Sequence, residues 1–437
     1  MHKPARRSAA SGIPPLIKRN TALFALTLAF TGSGMQFAFL LGPLMVIAMM
    51  GDATWSGVAV GLIGLSRFLV AYPVGKIADT YGRKPGVLFG LVVGLAGTLI
   101  VGVSMSLRSF PVLVGGMLVF GMGMNAAQQL RVAAADMYPP RLRGQALGYL
   151  AMGSMVGVVL SPALIHVSEA VATRIGQDAL ALPWLLLPVL IVPGMVLVAL
   201  VRPDPKEIGM HLERYFPDYT PTPRALGGRH SSFSAFNLLR HAPTRLAIIS
   251  NCAAQGNMSI VMILTSLVLD HHGHSLGWIA ISMALHAAGM FGFSIPLGRM
   301  ADRAGRAVVM YPGVATTLVG AGMVAFTESY WVITLGTFLV GLGWAAANIA
   351  ATAAVADYAE TIERGRAIGV NDSFAGAMSV LMAVVTGPLI QWKGLPAAGL
   401  TAVLVALVPL LMLLAHKVGQ RSKRRRSAAS SPKTRSA

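Results

Sequence analysis

A chain of 437 residues in which 55% are hydrophobic and only 12% charged is not a soluble domain, which carries about a quarter charged residues. A single cysteine, Cys252, excludes a disulfide framework within the chain. The formal net charge of +19 suggests nucleic acid at first glance, but the placement of the charges argues otherwise.

Residues 1–20 form a basic segment with Lys3, Arg6, Arg7, Lys18 and Arg19. The apolar run at 21–50 is too long for a signal peptide and lacks a small-residue cleavage site, so it reads as a first span. Runs at 55–78, 86–105, 110–134, 145–168 and 180–201 complete an N-terminal six-helix bundle, 21–201. The polar stretch 202–242, with Pro203, Pro205, Pro217, Pro221 and Pro223, reads as a linker. Runs at 244–269, 276–298, 307–326, 330–356, 366–389 and 395–416 predict a second bundle, 243–416, followed by a basic tail, 417–437. Each run approaches the ~20 apolar residues that a bilayer crossing needs. The expected fold is an all-α membrane protein with twelve transmembrane helices, six plus six.

With both termini in the cytoplasm, only Arg108, Arg174 and Lys393 of the 35 Lys and Arg fall on the outer side. Arg67 and Arg131 lie within spans. The basic excess is then a topology signal of a multi-pass inner-membrane protein. The Arg424–Arg426 run in the tail suits anionic lipid head groups. The bilayer, not nucleic acid, is the expected partner.

The halves repeat. Gly75, Ala78, Asp79, Gly82 and Arg83 follow the second run, and Gly298, Ala301, Asp302, Gly305 and Arg306 follow the eighth, at an offset of 223. Asp136 with Arg143-Gly144 and Asp357 with Arg364-Gly365 recur at an offset of 221. Parallel repeats of this kind put a transport site at the interface between halves. The repeat resembles the major facilitator superfamily, whose pattern here is Gly-x-Leu-Ala-Asp-Arg-x-Gly-Arg-Lys. Ile77 replaces the leucine and Thr80 the first arginine. The resemblance covers about residues 20–416 and implies a facilitator fold. A carboxylate and a guanidinium at such a turn can latch helix ends. The expected latch is Asp79, Arg83 and Asp136, with Asp302, Arg306 and Asp357 as its weaker copy.

Within the seventh and eighth runs lie Met258-x-x-x-Met262 and His286-x-x-x-Met290, each pair on one helical face. Thioether and imidazole suit a soft metal such as copper. Met-x-x-x-Met also occurs at 45/49 and 378/382, so His286, near a span centre, carries more information. Counting helical rise, Met262 is expected outermost, Met258 and His286 at mid-depth, and Met290 deeper. The loop from Asp270 to His274 would lie at the mouth of this ladder, as a metal collector or a solvated turn around Gly273. The paired motifs resemble the CcoA-like copper importers of the same superfamily, as do Gly341–Trp344 and Asn371-Asp372. That group includes riboflavin importers sharing much of the pattern.

Other intramembrane polar groups admit other readings. Arg67 lies about 18 Å above Asp79 by helical rise. Arg131 and Asp372 have similar depths and are expected to pair across the halves and close the cytoplasmic side. Gln36, Gln255 and Asn257, with Arg67, are candidates for a cavity that takes an organic solute; helix packing explains the amides equally well. No P-loop, Ser/His/Asp signature or cysteine metal site suggests an enzyme, and no cofactor is expected. The first expectation is copper import across a bacterial inner membrane, with copper as cargo. The alternatives are transport of a small organic solute such as riboflavin, and a non-transporting copper-related factor.

Overall fold

The computed structural model describes residues 12–51, 55, 57–220, 233–274 and 276–430. The basic segment 1–11, the linker stretch 221–232, the last residues 431–437 and the side chains of Arg424–Arg426 lie outside the described residues.

Among the described residues there is helix and no strand. Twelve helices are long and apolar enough to span a bilayer: α1 Pro15–Met50, α2 Val58–Tyr81, α3 Arg83–Ser106, α4 Phe110–Asp136, α5 Pro140–Ser161, α6 Leu182–Ala199, α7 Ala242–Leu269, α8 Ile281–Ala304, α9 Arg306–Ala325, α10 Tyr330–Tyr358, α11 Arg364–Lys393 and α12 Leu395–His416. The chain turns sharply from α2 to α3 at Gly82, φ 106°, and from α8 to α9 at Gly305, φ 101°. A side chain at either position would be strained.

Each half has its own apolar core. In the first half Trp184 packs edge-on against Phe120, ring centroids 5.1 Å apart, and against Phe37. The linker is not wholly solvated. A short helix, Pro205–Met210, and a turn at Leu212–Arg214 press Ile208, Leu212 and Phe216 into that core.

Two seams join the halves. α2 lies along α11, with Gly75 against the Gly365 carbonyl and Gly376 against Phe68. At the equivalent place in the repeat α5 lies along α8, with Gly144 against Gly298 and Gly148 against Ser294. Water exclusion contributes little to helix association inside lipid, so small residues that let backbones touch take its place. The tightest contacts lie at the face that carries the repeated Gly–Asp–Arg turns, here termed the motif face. Just inside it, Val132 and Ala135 of α4 meet Ile248, Val355, Ala356, Ala367 and Ile368 of the second half in an apolar plug, with Cys252 packed against it.

A methyl group at Gly75 would overlap the Gly365 carbonyl. Overpacking of this kind costs ~1–3 kcal/mol, which shifts a two-state closure about 5- to 150-fold. Gly75→Ala is therefore expected to open the motif face and speed N-ethylmaleimide labelling of Cys252. Gly61→Ala, where the added methyl meets open space, should label at the parent rate.

Candidate functional site

Five helices bring polar side chains to one buried cluster between the halves. Arg67 on α2 donates from one Nη to Oε1 of Gln255 on α7, 3.0 Å, and from the other to Oδ1 of Asp372 on α11, 3.0 Å. Arg131 on α4 pairs with the second oxygen of Asp372 and donates to Oδ1 of Asn348 on α10, 3.1 Å. Asn348 donates to Asn251, Asn251 to Asn371, and Asn371 to Asp372. The indole Nε1 of Trp344 donates to Gln255, 3.1 Å. The Asp372 side chain is 8% exposed, and Arg67 and Arg131 are 16% and 14% exposed. Charges so deep persist only when paired. Two guanidiniums share one carboxylate, which leaves one surplus positive charge. Arg131 Nε is buried without a hydrogen-bond partner.

The motif face carries a second polar layer. Arg83 donates to Asp79 and to Asp136, each at 2.6 Å, and to the Thr361 carbonyl of the other half, 2.7 Å. Asp79 in turn accepts from the backbone N–H of Gly365 and Arg366, each 2.9 Å, and so caps the N-terminus of α11. In the repeat Arg306 pairs with Asp302 and Asp357. Asp302 accepts from the N–H of Gly144, 2.8 Å, and Gln145, 2.7 Å, at the start of the main helix of α5. Each carboxylate thus caps a helix of the opposite half, where the helix dipole favours negative charge. Arg364 reaches back to Asp136, and Arg143 to Asp357 at 2.8 Å. The sequence pointed to the two triads but not to these cross-half partners.

The candidate metal ligands divide between two places. Asn251, Gln255, Met258 and Met262 recur at four, three and four residues, so the two methionines extend the face of α7 that carries the buried amides. His286 is 2% exposed and turns into the seam between α8 and α10, where Nδ1 meets the Thr337 carbonyl at 2.8 Å. Its Nε2 is buried with no hydrogen-bond partner. Met290, one turn on, is 7% exposed. The depth order also differs from expectation. Thr265 meets Thr337, Gln255 meets Trp344 and Asn251 meets Asn348, which sets α7 against α10. On the other side His286 meets Thr337, and a Cβ at Gly341 would lie 3.2 Å from the Met290 nitrogen. This register puts Met262 near the level of His286 and Met258 near that of Met290, in two tiers about one turn apart instead of three. Among the described residues no three His, Cys, Asp or Glu side chains are grouped to hold a metal. In the loop after α7, His272 Nδ1 meets the Val268 carbonyl and His274 packs on Tyr330; the side chains of Asp270 and His271 lie outside the described residues.

Of the candidate cavity residues, Arg67 and Gln255 are in the cluster and two are not. Asn257 is fully buried and its Nδ2 donates to the Ala402 carbonyl of α12, 2.5 Å. It sits 200° around the helix from Gln255, on the packed side. Gln36 is half-buried one turn beyond Gly32, on the side of α1 that meets α5, and takes no part in the cluster's hydrogen bonds.

Two six-helix bundles with a polar site at their interface define a membrane transporter fold. The family model described as Major Facilitator Superfamily matches residues 22–292 and 246–436. The chain belongs to the Major Facilitator Superfamily. It is 27% identical over 364 residues to YdeG, an MFS-type transporter of Bacillus subtilis, covering 82% of each chain. It is 25% identical over 418 residues to the riboflavin transporter RfnT of Brucella anthropi, covering 92% of this chain and 97% of that one. Among solved structures it resembles the human organic anion transporter MFSD10, with a TM-score of 0.71 at 17% identity over 92% of this chain and 100% of that one. It also resembles a bacterial homologue of the iron transporter ferroportin in an outward-facing state, with a TM-score of 0.70 at 15% identity over 91% and 98%. At those identities the likeness shows the fold alone.

Because Asp372 serves two arginines, an exchange of charges between Arg131 and Asp372 would leave Arg67 facing an arginine and is not expected to restore the pair. Asp372→Asn strands two buried guanidiniums, an effect worth about 3–5 kcal/mol, and should lower the melting temperature of the purified protein. Asp372→Asn with Arg131→Gln should recover part of that loss. A double variant less stable than the single would disprove the shared-carboxylate account.

Proposed function

We propose that the chain is a secondary transporter of a small polar organic solute, with riboflavin as the first candidate. The observation that carries this reading is the buried cluster of Arg67, Arg131, Gln255, Trp344, Asn348 and Asp372, which joins both halves at the place where a facilitator fold binds its cargo. Riboflavin brings a flat ring system suited to the half-buried Trp344 and a row of hydroxyl and carbonyl oxygens suited to guanidinium and amide donors. The likeness to RfnT along almost the whole of both chains supports the same cargo.

With the motif face toward the cytoplasm of a bacterium, as the Lys and Arg distribution supports, the latched form is closed to the inside. A solute that enters from outside competes with Asp372 and Gln255 for Arg67. Their release loosens the contact between halves, and the inner side opens. Differential affinity for the two states, not a covalent step, does the work.

A second reading, copper uptake, keeps one specific observation in its favour. When Nδ1 of His286 carries the proton shared with the Thr337 carbonyl, Nε2 presents a lone pair with no protein donor. Metal-bound histidines are oriented in this way. Met290 and the methionine face of α7 would supply soft sulfur.

Liposomes holding the purified chain are expected to accumulate labelled riboflavin. Arg67→Gln and Gln255→Ala should each cut uptake about 10- to 100-fold, the loss of one or two hydrogen bonds to a charged group. Accumulation no greater than in empty liposomes rules riboflavin out. Radioactive copper supplied to the same liposomes tests the second reading. If His286→Ala leaves copper entry at the parent rate, the histidine–methionine path is not used.

A further inference from the structure

The two latches are related by the repeat but are not equal. Arg83 and Asp136 are fully buried, whereas the equivalent Arg306 and Asp357 side chains are 14% and 28% exposed. The difference comes from the linker. Asp204 places Oδ1 3.1 Å from the backbone nitrogen of Arg83 and Oδ2 3.0 Å from that of Lys84. It therefore caps the N-terminus of α3, the helix that Arg83 begins. The same Oδ1 accepts from Lys206 N, 2.8 Å, and starts the short linker helix. Lys206 Nζ then reaches the Asp79 carbonyl. Gly209, at the end of that helix, fits between Asp136 and Thr361. A Cβ there would come within 2.9 Å of the Asp136 carbonyl oxygen and 3.0 Å of Thr361 Cγ2. The linker thus touches both halves at the latch.

Among the described residues the other copy shows no such device. A Cβ at Gly82 would meet Asp204 Oδ2 at 3.0 Å, while one at Gly305 would meet nothing within 4 Å.

We propose that Asp204 is a positioning residue of the motif-face latch. By fixing the backbone at Arg83 and Lys84, it aims the Arg83 guanidinium at Asp79, Asp136 and the Thr361 carbonyl together. The linker segment from Asp204 to Phe216 thereby acts as a strap that makes the first latch the stronger of the two. A cap of this kind acts on the state in which Arg83 is engaged across the halves, so losing it biases the chain toward an open motif face. This assignment stands apart from the identity of the solute and can hold whatever the cargo is.

Cys252 gives a built-in reporter, because it is the chain's only thiol and packs on the apolar plug inside the latch. The full chain in liposomes is labelled with N-ethylmaleimide, and labelling rate and melting temperature are read together. Asp204→Ala should raise the labelling rate about fivefold, the effect expected for one lost cap in a two-state equilibrium. Asp204→Glu should return most of the difference. Glu207→Gln, which removes an exposed carboxylate from the same helix, should label at the parent rate. Parent-rate labelling of Asp204→Ala overturns the proposal, as does an equal rise in Glu207→Gln. If Asp204→Ala does not reach the membrane, Asp204→Asn carries the test. It keeps one of the two oxygens that hold Arg83 N and Lys84 N and turns an N–H donor toward the other, so faster labelling supports the assignment and unchanged labelling overturns it.

Discussion

The carboxylate of Asp372 is the point on which the inner arrangement turns. It belongs to α11 of the second half, and both of its charge partners, Arg67 and Arg131, belong to the first. An unpaired guanidinium inside a bilayer protein is costly, so these groups cannot simply part when the halves move. Water or cargo must replace Asp372 as they do. Occupancy of the site and the disposition of the halves are therefore linked through one pair of oxygens. The surrounding amides, from Asn251 to Asn371, hold that carboxylate in register.

The motif face applies the same logic at helix ends. Asp79 and Asp302 do more than pair with the arginine four residues on. Each accepts two backbone N–H groups at the start of a helix in the opposite half. Those N–H groups have no partner within their own helix, so separating the halves exposes two donors and a carboxylate at once. Between this layer and the central cluster lies the apolar plug around Val132 and Ile368. Neighbouring groups in one seam do not contribute independently, so the three layers are energetically coupled.

Much of this was legible in the sequence. Twelve apolar runs and the offsets of 221 and 223 specified two bundles and the positions of both arginine–carboxylate triads. Depth by helical rise was enough to suggest Arg131 with Asp372. What the sequence hid was direction around a helix. Gln255 and Asn257 are two residues apart and look alike in composition, yet one faces the interface and the other donates to α12. The spacing of Asn251, Gln255, Met258 and Met262 carried that information and would have excluded Asn257. Depth along α8 was misjudged because it was counted from loop ends, whereas contact with Thr337 sets the level of His286. The role of Asp204 had no local signal beyond an ordinary Asp-Pro helix start, since its partners lie more than 100 residues away.

The central cluster also divides its chemistry unevenly. The first half supplies the positive donors, Arg67 and Arg131. The second supplies the carboxylate and most of the amide oxygens that receive them. The amides of the second half bond one another, but the guanidiniums of the first find their partners only across the interface, so in the closed form the second half is the ligand of the first. Under the proposed function, a solute that replaces the second half must present acceptors to two guanidiniums, one of which keeps a free Nε–H even when the face is shut. Oxygen-rich organic solutes meet that demand. A bare cation does not, because it would add positive charge beside two arginines.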